Sequence, residues 1–163
     1  MAIALLWVVF ATPTSGRSAV PRDGSNRSTG CYVVIGGIAA VLHGVPRATF
    51  DLDLLIDATT SNAQRLLSAL AEAGFVTAEL TTPASILEHV ITVFKDRVRI
   101  DVQTSTPGLI FEQAWARRVT MFYQGQGLFV VTRDDLIASK RAAGRAVDLE
   151  DVRLLEVANG DAP

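Results

Sequence analysis

Residues 32–57, YVVIGGIAAVLHGVPRATFDLDLLID, limit what this chain can become more than any other stretch. An apolar run ends at a glycine pair, a short helical segment and a basic turn follow, and a second strand then carries Asp51 and Asp53. Strand side chains alternate, so Asp51 and Asp53 project from one face while Leu52, Leu54 and Ile56 project from the other. Two carboxylates held together on a rigid strand repel each other unless a cation lies between them. Magnesium suits such a pair, because it is commonly held by one or two carboxylates together with substrate phosphates. Gly36 and Gly37, at the strand–helix junction, would let backbone N–H groups approach a phosphate closely, with the helix dipole adding to the attraction. Arg47, between the glycines and the carboxylates, is placed for the same phosphate.

The spacing of these residues carries a resemblance. Gly36-Gly37, thirteen residues, then Asp51-Leu52-Asp53 resembles the nucleotidyltransferase fold of the DNA polymerase beta superfamily. The fuller pattern, G-G-x-A from Gly36 and H-G-x-x-R-x-T-x-D-L-D from His43, is similar to small bacterial abortive-infection and toxin-type nucleotidyltransferases, and more distantly to aminoglycoside nucleotidyltransferases. The similarity runs from Cys31 to Val157 and implies an α/β fold, a small mixed β-sheet with helices packed on it. It also implies transfer of a nucleoside monophosphate from a nucleoside triphosphate to an acceptor hydroxyl. Two magnesium ions would be held by Asp51, Asp53 and Asp101, the last of these serving as ligand or base. Gly36, Gly37, Arg47 and Thr49 would meet the nucleotide, and the tail of the pattern adds Lys140 and Asp148. The implied acceptors are a transfer RNA end or a protein, with an antitoxin as a further partner. The alternatives are a small-molecule enzyme of the aminoglycoside type and a non-catalytic nucleotide- or protein-binding module of the same fold.

The chain as a whole suits one such domain. Its 163 residues, 49% of them hydrophobic, are enough for a single core. A net charge of −2 and a pI near 5.6 argue against bulk electrostatic binding to nucleic acid. A local surface of Arg97, Arg99, Arg117 and Arg118 could still receive an RNA end. A single cysteine, Cys31, excludes an internal disulfide. The apolar run Met1–Ala11 is shorter than the roughly 20 residues a bilayer requires, and no Lys or Arg precedes it as in a secretion signal. A cytoplasmic location follows, since nucleoside triphosphates are found there. Residues 1–30 are expected to be an apolar start and linker, 31–157 the domain and 158–163 a tail.

Beyond the central stretch, the apolar spacing predicts a helix over Ser61–Ala73 stopped by Gly74, a short strand over Phe75–Leu80 and a turn over Thr81–Ser85. Two hairpins are expected, His89–Phe94 with Arg97–Gln103 and Val119–Tyr123 with Leu128–Val131, separated by a helix over Leu109–Arg118. Asp101 stands mid-strand, where aspartate is disfavoured and therefore needs a reason. Thr132 reads as the N-cap of a helix over Arg133–Ala143 closed by Gly144, and Asp148 as the N-cap of a last helix to Val157. Lys140 shares a stripe with Leu136 and Ala143, so it either snorkels out or points into a polar site. His43 is expected to be a helix-end residue, favourably charged there.

Overall fold

In a computed structural model, residues 30–96, 98–123 and 126–157 are described. The expectations for the apolar start and linker before Gly30, for Arg97 and for the tail from residue 158 lie outside the described residues.

Strands β1 (Tyr32–Ile35) and β2 (Asp51–Ile56) run antiparallel at the centre of the sheet, with Ile35 opposite Asp53 and Val33 opposite Leu55. β4 (Arg99–Gln103) adds in parallel to β2, and β3 (Ile91–Lys95) closes that side as the antiparallel edge. On the other side β6 (Gln126–Val130) lies parallel to β1, and β5 (Val119–Tyr123) pairs antiparallel to β6. The sheet is thus mixed and six-stranded, in the order β3-β4-β2-β1-β6-β5. Paired residues share a face. Leu52, Leu54, Ile56, Ile100, Val102 and Phe94 form one face and are all buried. Asp51, Asp53 and Asp101 share the other, where Val33, Ile35 and Leu55 are buried too, so the acidic face is open only towards its aspartate end.

Seven helices complete the described fold. α1 (Gly36–Leu42) leaves β1 directly, and Gly44 ends it in a left-handed conformation (φ 97°) that any Cβ would oppose. The amides of Gly44 and Val45 reach back to the carbonyls of Val41 and Ala40, and buried Val45 seals the end. α2 (Thr60–Glu72) begins at Thr59, whose hydroxyl accepts from the Asn62 amide, and buries Ala63, Leu66, Leu67 and Leu70. α5 (Phe111–Arg117) packs on β1, setting Trp115 edge-on to Phe129. α6 (Arg133–Ala143) and α7 (Ala146–Val157) form a pair beside α1. The Thr132 cap and the Gly144 stop of α6 fall where the sequence places them.

Three local expectations change. The segment read as a strand over Phe75–Leu80 is a helical turn, α3 (Val76–Glu79): Phe75 and Ala78, three apart, are its buried residues, while Val76 and Leu80 are exposed. The turn expected over Thr81–Ser85 instead opens α4 (Pro83–Glu88), capped by Thr82 with proline at the first position, where its missing N–H does no harm. Asp148 is not an N-cap, because α7 already starts at Ala146 and takes Asp148 into its first turn.

Asn62 closes the central strands. It is fully buried; its amide oxygen accepts from the Cys31 N–H at 2.7 Å, and its nitrogen donates to the carbonyls of Cys31 and Asp57, both at 2.9 Å. One side chain thereby satisfies three backbone groups at the start of β1 and the end of β2. Asn62→Leu keeps the volume but strands the Cys31 N–H and takes one of two donors from each carbonyl, which keep the Asp57 and Thr59 amides, so chemical denaturation should report a loss of about 2 kcal/mol. A loss below about 1 kcal/mol would remove Asn62 from this role.

Candidate active site

Asp53 sits where β1 turns into α1. Gly36, at φ 66°, has no Cβ, and one built there would lie 2.1 Å from Asp53 Oδ2. A Cβ on Gly37 would fall 2.6 Å from Thr49 Oγ1 and 3.6 Å from Arg47 Nη2. The glycine pair therefore does something the sequence did not disclose: it makes room for the side chains of Asp53, Thr49 and Arg47 against the backbone of the turn. A Gly37 backbone N–H hydrogen-bonds the Asp53 carboxylate.

The register places Asp53 beside Asp101 and Asp51 beside Arg99, at the roughly 4.8 Å separation of neighbouring strands. Burial pushes the Asp53 carboxyl up to about 6, the charges of Asp101 and Asp51 push the same way, and the Gly37 amide and Lys140 oppose them. Gln103 donates to Asp53 Oδ1 at 3.2 Å. Asp101 is buried and held by both arms of Arg99, Nε to Oδ1 at 2.7 Å and Nη2 to Oδ2 at 2.8 Å. That contact supplies the reason for an aspartate in mid-strand.

Opposite the aspartates runs a chain of alternating charge. Arg47 Nη1 meets Asp151 Oδ2 at 2.6 Å, and the same oxygen meets Lys140 Nζ at 2.7 Å. Lys140 also reaches Asp148 Oδ1 at 3.0 Å, and Arg145 Nε closes the chain on Asp148 Oδ2 at 2.5 Å. The Lys140, Asp148 and Asp151 side chains are 5%, 2% and 3% exposed, so Lys140 does not snorkel. Burial opposes the Asp148 charge, yet hydrogen bonds from Arg145 and Lys140 outweigh it and hold the carboxyl below the usual range. Gly36, Asp53, Gln103, Lys140, Arg145 and Asp148 line a cavity of about 60 Å³.

The structure thus gathers Gly36, Asp53, Lys140 and Asp148 around one cavity, with Asp51 and Asp101 on the adjoining sheet face and Gly37, Arg47 and Thr49 behind the turn. The sequence reading did not assign Asp151, Gln103 and Arg145 to the site, although Arg145 and Asp151 flank Asp148 in the R-x-x-D-x-x-D tail of the pattern. Asp151 stood three residues after Asp148, but helix position alone does not reveal a buried ion pair. The expected arginine surface is exposed at Arg99 and Arg117, yet its arginines are engaged. Arg99 is bound to Asp101, Arg117 grips Asp135 with two hydrogen bonds, and Arg118 stacks 3.6 Å over the Trp115 ring. His43 ends α1 as its C-cap, as expected, but its charge is corrected: it contacts the Val131 carbonyl at 2.8 Å through Nε2, and burial lowers its pKa, so it is a neutral donor there.

A family model described as "Nucleotidyltransferase of unknown function (DUF6036)" matches residues 21–160. The chain belongs to this family. No curated protein matches it. Membership of a nucleotidyltransferase family accords with the resemblance in the sequence and with the α/β fold. Among the described residues of this family member, no helix is long and apolar enough to cross a membrane.

The acidic face can be tested for fit to a hard cation. Asp51 and Asp53 offer oxygen donors from one strand, and burial first, then the charges of Asp101 and Asp51, oppose the Asp53 anion, which a cation would favour. Asp101 supplies a third carboxylate on the adjoining strand, its oxygens taken by Arg99. Among the described residues no group of three or more His, Cys, Asp or Glu side chains is gathered to hold a metal ion; magnesium sites use one or two carboxylates and leave the remaining positions to water and phosphate. On donor chemistry the residues fit the ion.

Two expectations follow. Because the folded pKa of Asp53 lies above the ordinary 3.8, its ionisation opposes folding, with stability greatest below pH 4 and falling as the pH rises through 6. Asp53→Asn should therefore stabilise the metal-free protein by about 2 kcal/mol at pH 7, with no gain below pH 4 in denaturant titrations. Lys140→Met behaves oppositely: it leaves two buried carboxylates short of a partner and should lower stability by about 3 kcal/mol. An unfolding midpoint unchanged by Lys140→Met would contradict the buried pairing.

Proposed function

We propose that this family member is a magnesium-dependent nucleotidyltransferase that moves a nucleoside monophosphate from a nucleoside triphosphate to an acceptor hydroxyl, in the cytoplasm where the donor is found. The observation that carries this is the register of Asp53 with Asp101 on one sheet face, with Lys140 and Arg145 in the wall of the cavity that Asp53 lines. Nucleotidyl transfer needs that pairing: anions on the metal side, cations on the phosphate side.

In this reading the acceptor oxygen attacks the α-phosphorus, the bond to the β-phosphate breaks, and pyrophosphate leaves. Asp101 takes the acceptor proton. Asp51, Asp53 and Asp101 would hold two magnesium ions, which supply charge neutralisation and an acidified hydroxyl when bound. Lys140 and Arg145 face the cavity where the charge of the departing phosphates accumulates. Asp148 and Asp151 orient Lys140, and Arg47 anchors Asp151 under the turn, so Arg47 and Asp148 act on the nucleotide through the lysine. Gly36, Gly37 and Thr49 shape the turn that holds Asp53 at the cavity.

The acceptor in this proposal is an RNA end or a protein hydroxyl. With Arg99, Arg117 and Arg118 engaged, the basic surface that would favour RNA loses its support, and the two classes stand level. Incubation with magnesium and each α-labelled nucleoside triphosphate in a cell extract should transfer label to one fraction and release pyrophosphate. RNA and protein fractions then decide the acceptor, and label among small molecules would point to the aminoglycoside type. Asp101→Asn should lower the transfer rate at least about 100-fold. Transfer from γ-labelled nucleotide instead, or label in no fraction with any of the four nucleotides, would overturn the proposal, the second outcome favouring a binding module.

A further inference from the structure

Arg99 holds a position that the proposed reaction leaves unexplained. On β4 it stands two residues before Asp101, on the same face and in register with Asp51 of the parallel neighbour. Its guanidinium closes on both Asp101 oxygens, at 2.7 and 2.8 Å, while Nη1 stands 3.9 Å from Asp51 Oδ2. One fixed cation therefore lies between the first and third carboxylates of the acidic face. A fork that takes both oxygens of a carboxylate leaves that group poorly placed to bind anything else. The Arg99 side chain is nonetheless 44% exposed, in contrast to the 10% of Asp101, so it can leave into solvent without unpacking the core.

We propose that Arg99 is a built-in counter-ion of the acidic face, which a divalent cation must displace from Asp101 before the site is complete. The proposal rests on the magnesium reading above. While the guanidinium is in place it offsets the repulsion among Asp51, Asp53 and Asp101, and it keeps Asp101 from acting as ligand or base. A divalent cation brings more charge to the same carboxylates, so the two compete for Asp101. The released Arg99 stays tethered at the rim, two residues from the reacting centre. Its effect on metal affinity is thus a penalty, the reverse of what a merely positioning residue would give.

The test is a manganese titration of the full chain, followed by calorimetry and by the electron paramagnetic resonance of free manganese, without nucleotide. Arg99→Gln should bind manganese about tenfold more tightly than the parent, because one adjacent positive charge and its two hydrogen bonds no longer compete. Arg99→Lys, which keeps the charge but not the fork, should fall between them. Arg153→Gln controls for net charge: Arg153 is exposed on α7 and paired with Glu150, outside the Asp51–Arg99–Asp101 cluster, so its loss should change affinity less than twofold. Without metal, Arg99→Gln should also unfold at a lower temperature than the parent and recover more on adding manganese. Equal or weaker manganese binding by a folded Arg99→Gln, or an equal gain in Arg153→Gln, would overturn the proposal. Asp53→Asn separates the two levels. Manganese binding by the parent that is lost in Asp53→Asn locates the ion on the acidic face; if neither the parent nor Arg99→Gln binds manganese, the magnesium reading falls together with this one.

Discussion

The ammonium of Lys140, held between Asp148 and Asp151 out of water, is the interaction on which the site depends. Each of these charges would be prohibitive alone in a buried setting, and each is tolerated because the next in the chain neutralises it. The chain does more than neutralise. Arg47 comes from the turn before β2, Lys140 from α6, and Asp148 and Asp151 from α7, so the ion pairs fasten the C-terminal helix pair to the turn that leads into the central strand. Apolar packing alone would allow such helices to slide; a buried pair with short contacts fixes register, because any slip leaves a charge unpaired.

On the other side of the cavity the logic is reversed. Asp51, Asp53 and Asp101 gather negative charge with Arg99 as their direct cationic partner, and burial keeps the Asp53 carboxyl at about 6. The metal-free protein holds the acidic face in a state that is unfavourable by itself. Such strain is common where a ligand is to be bound, since the ligand's charge then relieves a cost already present in the fold. The same cavity joins the two halves, with Asp53 and Lys140 both in its wall.

Much of this was legible in the sequence because it depends on local rules. Alternation put Asp51 and Asp53 on one face, Thr132 and Gly144 bounded α6 by capping chemistry, and the glycine pair marked the strand–helix junction. What could not be read depends on contacts between distant segments. Phe75–Leu80 has the alternation of a strand over too few residues for the periods to be told apart, and packing on α2 decided for a helical turn. The roles of Arg99, Arg117 and Arg118 were invisible for a similar reason: a charged residue on an exposed-looking position is a solvated side chain or half of an ion pair according to what tertiary structure sets against it. Asp151 is the clearest case, because its partner Arg47 lies 104 positions away.

That separation bears on how the molecule comes into being. A contact spanning most of the domain closes one of its longest loops, so it cannot guide early folding and must form once the rest is in place. On the ribosome, the acidic strand emerges well before α7 does, and domains generally complete their folding as units. Until α7 docks, Arg47 and Lys140 have no aspartates to meet and the cavity lacks a wall. The growing chain carries its carboxylates early and acquires the counterweight to them last, so the site comes together only as synthesis of the domain ends.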